Sequence, residues 1–267
     1  MQRKSQKSFC KHKTDCTRRR CDMSGKWFFM ETIRPDAKTN LICFPYSGTG
    51  ASFYASWGMR IPDSFSLLPV CYPMREKRLA DPLPSSLQAL AADFVQDSID
   101  VLREKPFLLY GHCTGSVIAY EAAKILQETY QLQPLALIAA SSPSPFVNQI
   151  KPLDESMSLQ EFANSMAELG LIRPELAADA SFVSYFMPMM RADYLLHQNY
   201  KPEDETVLHC PITAIFGKND PNITEESVSD WQKLTDHDFC CKAVDEGHFF
   251  EKNETFSELF SCFQSFC

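Results

Sequence analysis

The sequence predicts an α/β fold: a mainly parallel central sheet flanked by helices, with a helical segment inserted as a lid. Three observations carry this expectation. Short apolar runs bounded by proline or glycine alternate with stretches whose apolar residues recur at helical spacing, the pattern of parallel strands joined by crossover helices. One such run passes through a tight turn straight into a helix at Gly111-His112-Cys113-Thr114-Gly115. Between about residues 146 and 202 the alternation stops and only helical patterning remains.

The regular pattern begins near Trp27. Leu41-Ile42-Cys43-Phe44 reads as a buried strand, ended by Pro45 and the Gly48-Thr49-Gly50 turn, and Ser66 to Cys71 reads as a second. Ser86 to Arg103 has helical spacing through Leu87, Leu90, Ala91, Phe94, Val95, Ile99 and Leu102. Pro106 to Tyr110 is the strand before the turn, and Ser116 to Leu126 belongs to the helix after it. Leu135 to Ala140, Ile212 to Phe216 and Asp238 to Val244 are further strands. In the inserted segment, Leu159, Phe162, Ala163, Met166 and Leu169 form one amphipathic stripe ended by Gly170. A second region from Leu176 to Leu195 is rich in Met and Phe, suited either to packing on the sheet or to lining a pocket for varied chains.

With 267 residues, 45% hydrophobic and 22% charged, the chain is large enough for one α/β domain at residues 26–267, the lid included. No apolar run reaches the roughly 18 residues that cross a bilayer, and the N-terminus lacks the apolar core of a secretory signal. A cytoplasmic protein with no membrane partner is expected. A net charge of -8 argues against a nucleic-acid partner. Of 11 cysteines, Cys43, Cys71, Cys210, Cys240 and Cys241 sit in apolar stretches, where reduced cysteine is a common core residue. Residues 1–25 are basic and nearly free of apolar side chains, which reads as a flexible tail. Cys10, His12, Cys16 and Cys21 in that tail lack the paired spacing of zinc sites, so no metal is expected.

The turn at Gly111–Gly115 has the form of a nucleophile elbow, G-x-S-x-G, with cysteine at the nucleophile position. Alone the motif is weak, because a cysteine in a tight turn also packs as a small apolar residue. The strand before and helix after are the context the motif requires, and a helix N-terminus favours both a thiolate and an oxyanion. Asp220 follows a buried strand in Gly217-Lys218-Asn219-Asp220-Pro221, placed to orient an imidazole. His248 lies in Asp245-Glu246-Gly247-His248-Phe249-Phe250 after the last strand. Each has an ordinary reading as a loop residue, but the order Cys113, Asp220, His248, one after each of three strands, is that of α/β-hydrolases. Asp245 is a competing acid on the histidine's own loop. His12, His112, His197, His209 and His237 lack that setting. The oxyanion donors expected are the backbone amides of Thr114 and Ser47, the latter in the loop after the first strand. Tyr46, Phe249, Met189 and Met190 are the expected substrate-binding side chains.

Several segments resemble the type II thioesterases of non-ribosomal peptide and polyketide synthesis. They are Leu41 to Gly48 and on through Tyr54, Gly111 to Gly115, Arg191-Ala192-Asp193, Cys210-Pro211-Ile212, Gly217 to Pro221 and Gly247 to Phe250. The resemblance implies a stand-alone α/β-hydrolase with a helical lid and no cofactor of its own, most simply a monomer. It would cleave acyl or aminoacyl thioesters from the phosphopantetheine arms of acyl or peptidyl carrier domains. Two positions depart from it: the family usually has serine where Cys113 stands and commonly histidine where Tyr46 stands. A cysteine nucleophile exchanges one thioester for another, so its acyl-enzyme stays activated. That keeps open an acyltransferase or cyclase that passes the acyl group to an amine or hydroxyl. A carrier-binding module with a vestigial site and a small-molecule hydrolase of the dienelactone type are more distant alternatives.

Overall fold

Apolar residues on both faces of the same strand force a sheet to be covered on both sides, and the strands here are of that kind. A computed structural model describes residues 25–147, 150–250 and 252–267. It forms a 6-stranded sheet in the order β2-β1-β3-β4-β5-β6, from β1 Thr39–Phe44, β2 Phe65–Pro69, β3 Phe107–His112, β4 Leu137–Ala140, β5 Ile212–Gly217 and β6 Phe239–Val244. Every neighbouring pair is parallel, so the expected mainly parallel sheet is wholly parallel among the described strands.

Side chains alternate across a strand, and the two cores follow that alternation. Ile42, Phe44 and Leu109 pack with Phe94 and Tyr120 on one face, where helices α1 Leu87–Glu104 and α2 Thr114–Tyr130 lie. Leu41, Cys43, Leu108 and Tyr110 pack on the other face with Trp57, Leu259 and Phe263. Helix α1 starts where Ser86 caps it, its hydroxyl accepting from the Ala89 N–H at 3.1 Å.

The inserted segment contains helices α3 Leu159–Glu168, α4 Pro174–Ala177 and α5 Ala180–Gln198. The Met- and Phe-rich region predicted as one stretch is divided at Asp179, whose carboxylate caps α5 by accepting from the Ser181 and Phe182 amides. Phe162, Met166, Val183, Met187 and Tyr194 form a third apolar cluster, separate from the two sheet cores. The sequence reading also omitted two helices, α6 Glu225–Ser229 and α7 Asn253–Gln264. In addition, Cys240 is exposed on the edge strand β6, not buried as expected, and the described cysteines are free thiols. The basic tail and its Cys and His residues lie outside the described residues, apart from Gly25. No helix among the described residues is long and apolar enough to cross a membrane.

The chain runs from β1 outward to β2, then returns to place β3 on the other side of β1. Loops after β1 and β3 therefore diverge at a switch point and leave a crevice at the strands' carboxyl ends. The candidate site lies there.

Candidate active site

Cys113 sits between β3 and α2 with φ 52 and ψ -122, a conformation costly for a side-chain-bearing residue. Two glycines make this turn possible. A Cβ on Gly111 would lie 2.4 Å from the Gly115 carbonyl oxygen, and one on Gly115 would lie 2.2 Å from that of Phe44. The Cys113 N–H donates to the Ala140 carbonyl at 2.8 Å, fixing the turn to β4. The sulfur is left half-buried at the start of α2.

Asp220 and His248 come from the loops after β5 and β6 and meet beside the elbow. His248 Nδ1 bonds Asp220 Oδ2 at 2.7 Å, with both side chains buried. The second Asp220 oxygen accepts the Asn222 N–H at 2.9 Å. The rival acid, Asp245, is exposed and pairs with Lys252 instead. His248 Nε2 is buried without a formal hydrogen-bond partner, and the ring borders the same cavity as Cys113. Each group displaces the other's titration. Burial opposes ionisation of the thiol, but the charge of His248 and the Thr114 N–H overcome it and bring Cys113 below its ordinary value. Burial likewise opposes charge on His248, yet Cys113 and Asp220 raise the imidazole above its ordinary range.

On the other side of the elbow, Ser47 Oγ and Thr114 Oγ1 are 2.8 Å apart. Thr114 Oγ1 is also 2.8 Å from His197 Nδ1 and 4.0 Å from Cys113 Sγ. The Thr114 amide opens α2 and so has no carbonyl partner within the helix. His197 is a residue the sequence reading set aside. Its only sequence signal is helical: Met190, Tyr194 and His197 fall at i, i+4 and i+7 on one face of α5. Burial holds this imidazole neutral, its pKa pushed down to about 3. His112, also set aside, is buried beneath the site. Its Nε2 lies 2.8 Å from the His248 carbonyl, which can only accept, so Nε2 carries the proton. Burial, then the charge of His248, push His112 down to about 3.

A cavity of about 440 Å³ opens on Cys113, Thr114, His197 and His248. Its walls include Tyr46, Phe249 and Met190, together with Leu169, Leu171 and Ile223. The Tyr46 and Phe249 rings lie 4.6 Å apart. Met189, also expected to bind substrate, does not line this cavity. It lies about 100° around α5 from Met190, while Met187 lines a second, adjoining cavity. Beyond the Tyr46-Ser47 loop a second cavity of about 710 Å³ shares Tyr46, Ser47, Leu171, Met190 and Phe249 with the first.

The lid is fastened to the loops after β1 and β2 by a hydrogen-bonded ion pair the sequence did not reveal. Arg75 binds Asp193 of α5 through two hydrogen bonds, Nη1–Oδ2 at 2.8 Å and Nη2–Oδ1 at 2.6 Å. Asp193 also accepts the Gly48 N–H at 2.8 Å, and Arg75 Nη1 donates to the Thr49 carbonyl at 2.6 Å. No group of three or more His, Cys, Asp or Glu suited to a metal ion occurs among the described residues.

Comparison with known proteins identifies the family. Residues 39–267 match the thioesterase domain family. The gramicidin S biosynthesis protein GrsT of Aneurinibacillus migulanus is 28% identical over 226 residues, 85% of this chain and 88% of GrsT. The medium-chain S-acyl fatty acid synthase thioesterase of Rattus norvegicus is 29% identical over 222 residues, 81% of this chain and 82% of that one. Among solved structures, the RedJ thioesterase from the prodiginine biosynthetic pathway in Streptomyces coelicolor superposes with a TM-score of 0.80 at 25% identity, covering 88% of this chain and 92% of RedJ. The chain therefore belongs to the thioesterase family and is a thioester hydrolase of the α/β-hydrolase fold.

Proposed function

We propose that this protein is a type II thioesterase that frees acyl groups from the phosphopantetheine arms of carrier proteins in non-ribosomal peptide or polyketide synthesis. Cys113 is its nucleophile. The observation that carries the reading is the imidazole of His248, bonded to Asp220 at 2.7 Å and lowering the Cys113 thiol at a strained elbow on the cavity. The similarity to GrsT, and to RedJ from a prodiginine pathway, supports the synthase setting.

In this mechanism the Cys113 thiolate attacks the thioester carbonyl while His248 holds the proton. The developing oxyanion takes hydrogen bonds from the Ser47 and Thr114 amides, each worth about 3 kcal/mol in comparable sites. Collapse breaks the bond to the pantetheine sulfur, which leaves with the His248 proton. Neutral His248 then removes a proton from water, which attacks the Cys113 acyl group and restores the thiolate-imidazolium pair. Asp220 fixes the ring and offsets its charge. Two adjoining cavities give room on either side of the reacting carbonyl for the acyl chain and the pantetheine arm. No cofactor takes part, and the substrate-bearing partner is a carrier domain. Transfer to an amine or hydroxyl has no support among these relatives.

The test uses acyl-loaded carrier protein and intact-protein mass spectrometry. The wild-type enzyme should release free acid and, on rapid acid quench, carry the acyl mass on the peptide containing Cys113. The variant Cys113→Ala should keep the fold by circular dichroism and lose both signals. Undiminished turnover by that variant would refute the mechanism.

A further inference from the structure

The two amides assigned to the oxyanion belong to Ser47 and Thr114, and both residues are tied to one face of the lid helix α5. His197 Nδ1 lies 2.8 Å from Thr114 Oγ1, which in turn lies 2.8 Å from Ser47 Oγ. One turn earlier on that face, Asp193 accepts the Gly48 N–H at 2.8 Å. The Tyr46 carbonyl is held as well, by the Thr49 hydroxyl at 2.8 Å and the Thr49 N–H at 3.2 Å. In a trans peptide the C=O and N–H point in opposite directions, so binding that carbonyl turns the Ser47 N–H away from the Thr49 turn. Ser47, Thr114 and His197 all line the cavity at Cys113.

His197 is placed for holding rather than for moving protons. Its Nδ1 is spent on Thr114, and burial pushes its pKa down to about 3, far below what a general base needs at neutral pH. A neutral imidazole has one N–H and one lone pair, so it bonds a hydroxyl in either sense. Thr114 Oγ1 has one proton and two lone pairs, enough to serve Ser47 and His197 together. The chain is satisfied without charge. We propose that His197 is a positioning residue for thioester cleavage, fixing the Ser47 and Thr114 amides around the oxyanion through the Thr114 hydroxyl. This rests on the thioesterase reading above and adds a lid residue to its oxyanion hole.

Two variants cut the chain while keeping its shape. His197→Phe retains a ring and loses the hydrogen bond, and Thr114→Val retains the branched side chain and loses the hydroxyl. With hexanoyl-pantetheine as substrate, each should lower kcat by at least about tenfold and leave KM within about threefold. The double variant should be no worse than the more impaired single, within about threefold, because both changes break one chain. His197→Asn places an amide atom where Nδ1 stood and should recover most of the loss. Circular dichroism checks that each variant keeps the fold. An unchanged kcat in His197→Phe, losses that multiply in the double variant, or an Asn variant as impaired as the Phe variant would each overturn the proposal.

A second readout does not depend on turnover. The ketone of S-trifluoroacetonyl-pantetheine accepts the Cys113 thiolate: a sulfur–carbon bond forms, and the carbonyl π electrons move onto oxygen as an alkoxide in the hole. S-acetonyl-pantetheine has the same skeleton but resists addition. Wild type should therefore bind the trifluoro ketone more tightly, and His197→Phe should lose at least about tenfold of that preference by calorimetry. If wild type has no preference, the hydrolase mechanism and the positioning role fall together. If wild type has it and His197→Phe keeps it in full, the positioning role falls and the mechanism stands.

Discussion

Asp193→Ala probes how the lid is joined to the catalytic end of the sheet. The Arg75 and Asp193 side chains are only 3% and 8% exposed, so water cannot replace the lost partner. Removing the carboxylate takes two hydrogen bonds from the guanidinium and one from the Gly48 N–H, leaving a buried cation whose remaining acceptors are the Thr49 and Pro73 carbonyls. Breaking one side of such a buried pair costs about 3–5 kcal/mol, a large share of the 5–15 kcal/mol typical of a whole domain. Urea unfolding followed by tryptophan fluorescence and circular dichroism measures it, provided the two transitions coincide. Removing both charges in Arg75→Met/Asp193→Leu leaves the Gly48 N–H and the Thr49 and Pro73 carbonyls unpaired but no buried charge. That double variant should be more stable than Asp193→Ala by about 2 kcal/mol. Because Ser47 belongs to the loop that Asp193 anchors, kcat for thioester cleavage by Asp193→Ala should also fall, by at least about tenfold. The reasoning fails if Asp193→Ala costs less than about 1 kcal/mol, or if the double variant is the less stable of the two.

Iodoacetamide alkylation of Cys113 reads the ion pair directly. Its thiol is lowered, so the rate should stay high as pH falls below the ordinary cysteine range near 8.5 and drop only at lower pH. In His248→Ala the profile should return to that of an ordinary or buried thiol, and an unchanged profile would contradict the pairing. His112 gives a stability signature. It is 1% exposed and its folded pKa is depressed, so its contribution is present above the unfolded value near 6.5 and is lost as pH falls toward about 3. Between pH 7 and pH 5 this one group should remove about 2 kcal/mol of stability. His112→Gln should flatten the measured pH dependence by that amount, and an equal slope in both proteins would rule the assignment out.

Much of the site was readable before any coordinates, because each of its main residues follows a local pattern. An elbow needs glycines two places either side of the nucleophile between a strand and a helix, and only Gly111 to Gly115 supplies them. Asp220 follows the buried run of β5 and His248 the apolar run of β6, which is a partly exposed edge strand. Helix boundaries moved by a few residues, since capping by Ser86 or Asp179 is a matter of one side chain and one amide. The five-residue α6 escaped because a single turn carries little periodicity, whereas α7 was passed over although Phe256, Leu259, Phe260 and Phe263 recur at i, i+3, i+4 and i+7.

What the sequence alone determined, then, was the order of strands and helices and the three residues that stand at strand ends, because burial imposes a period on both. Tertiary structure alone decided which side chains far apart in the chain share a space. His197 reaches Thr114 across 83 positions, and Arg75 reaches Asp193 across 118. Neither pairing has a sequence period. Each exists because the sheet's switch point opens one crevice and the lid's helical face turns Met190, Asp193, Tyr194 and His197 toward it.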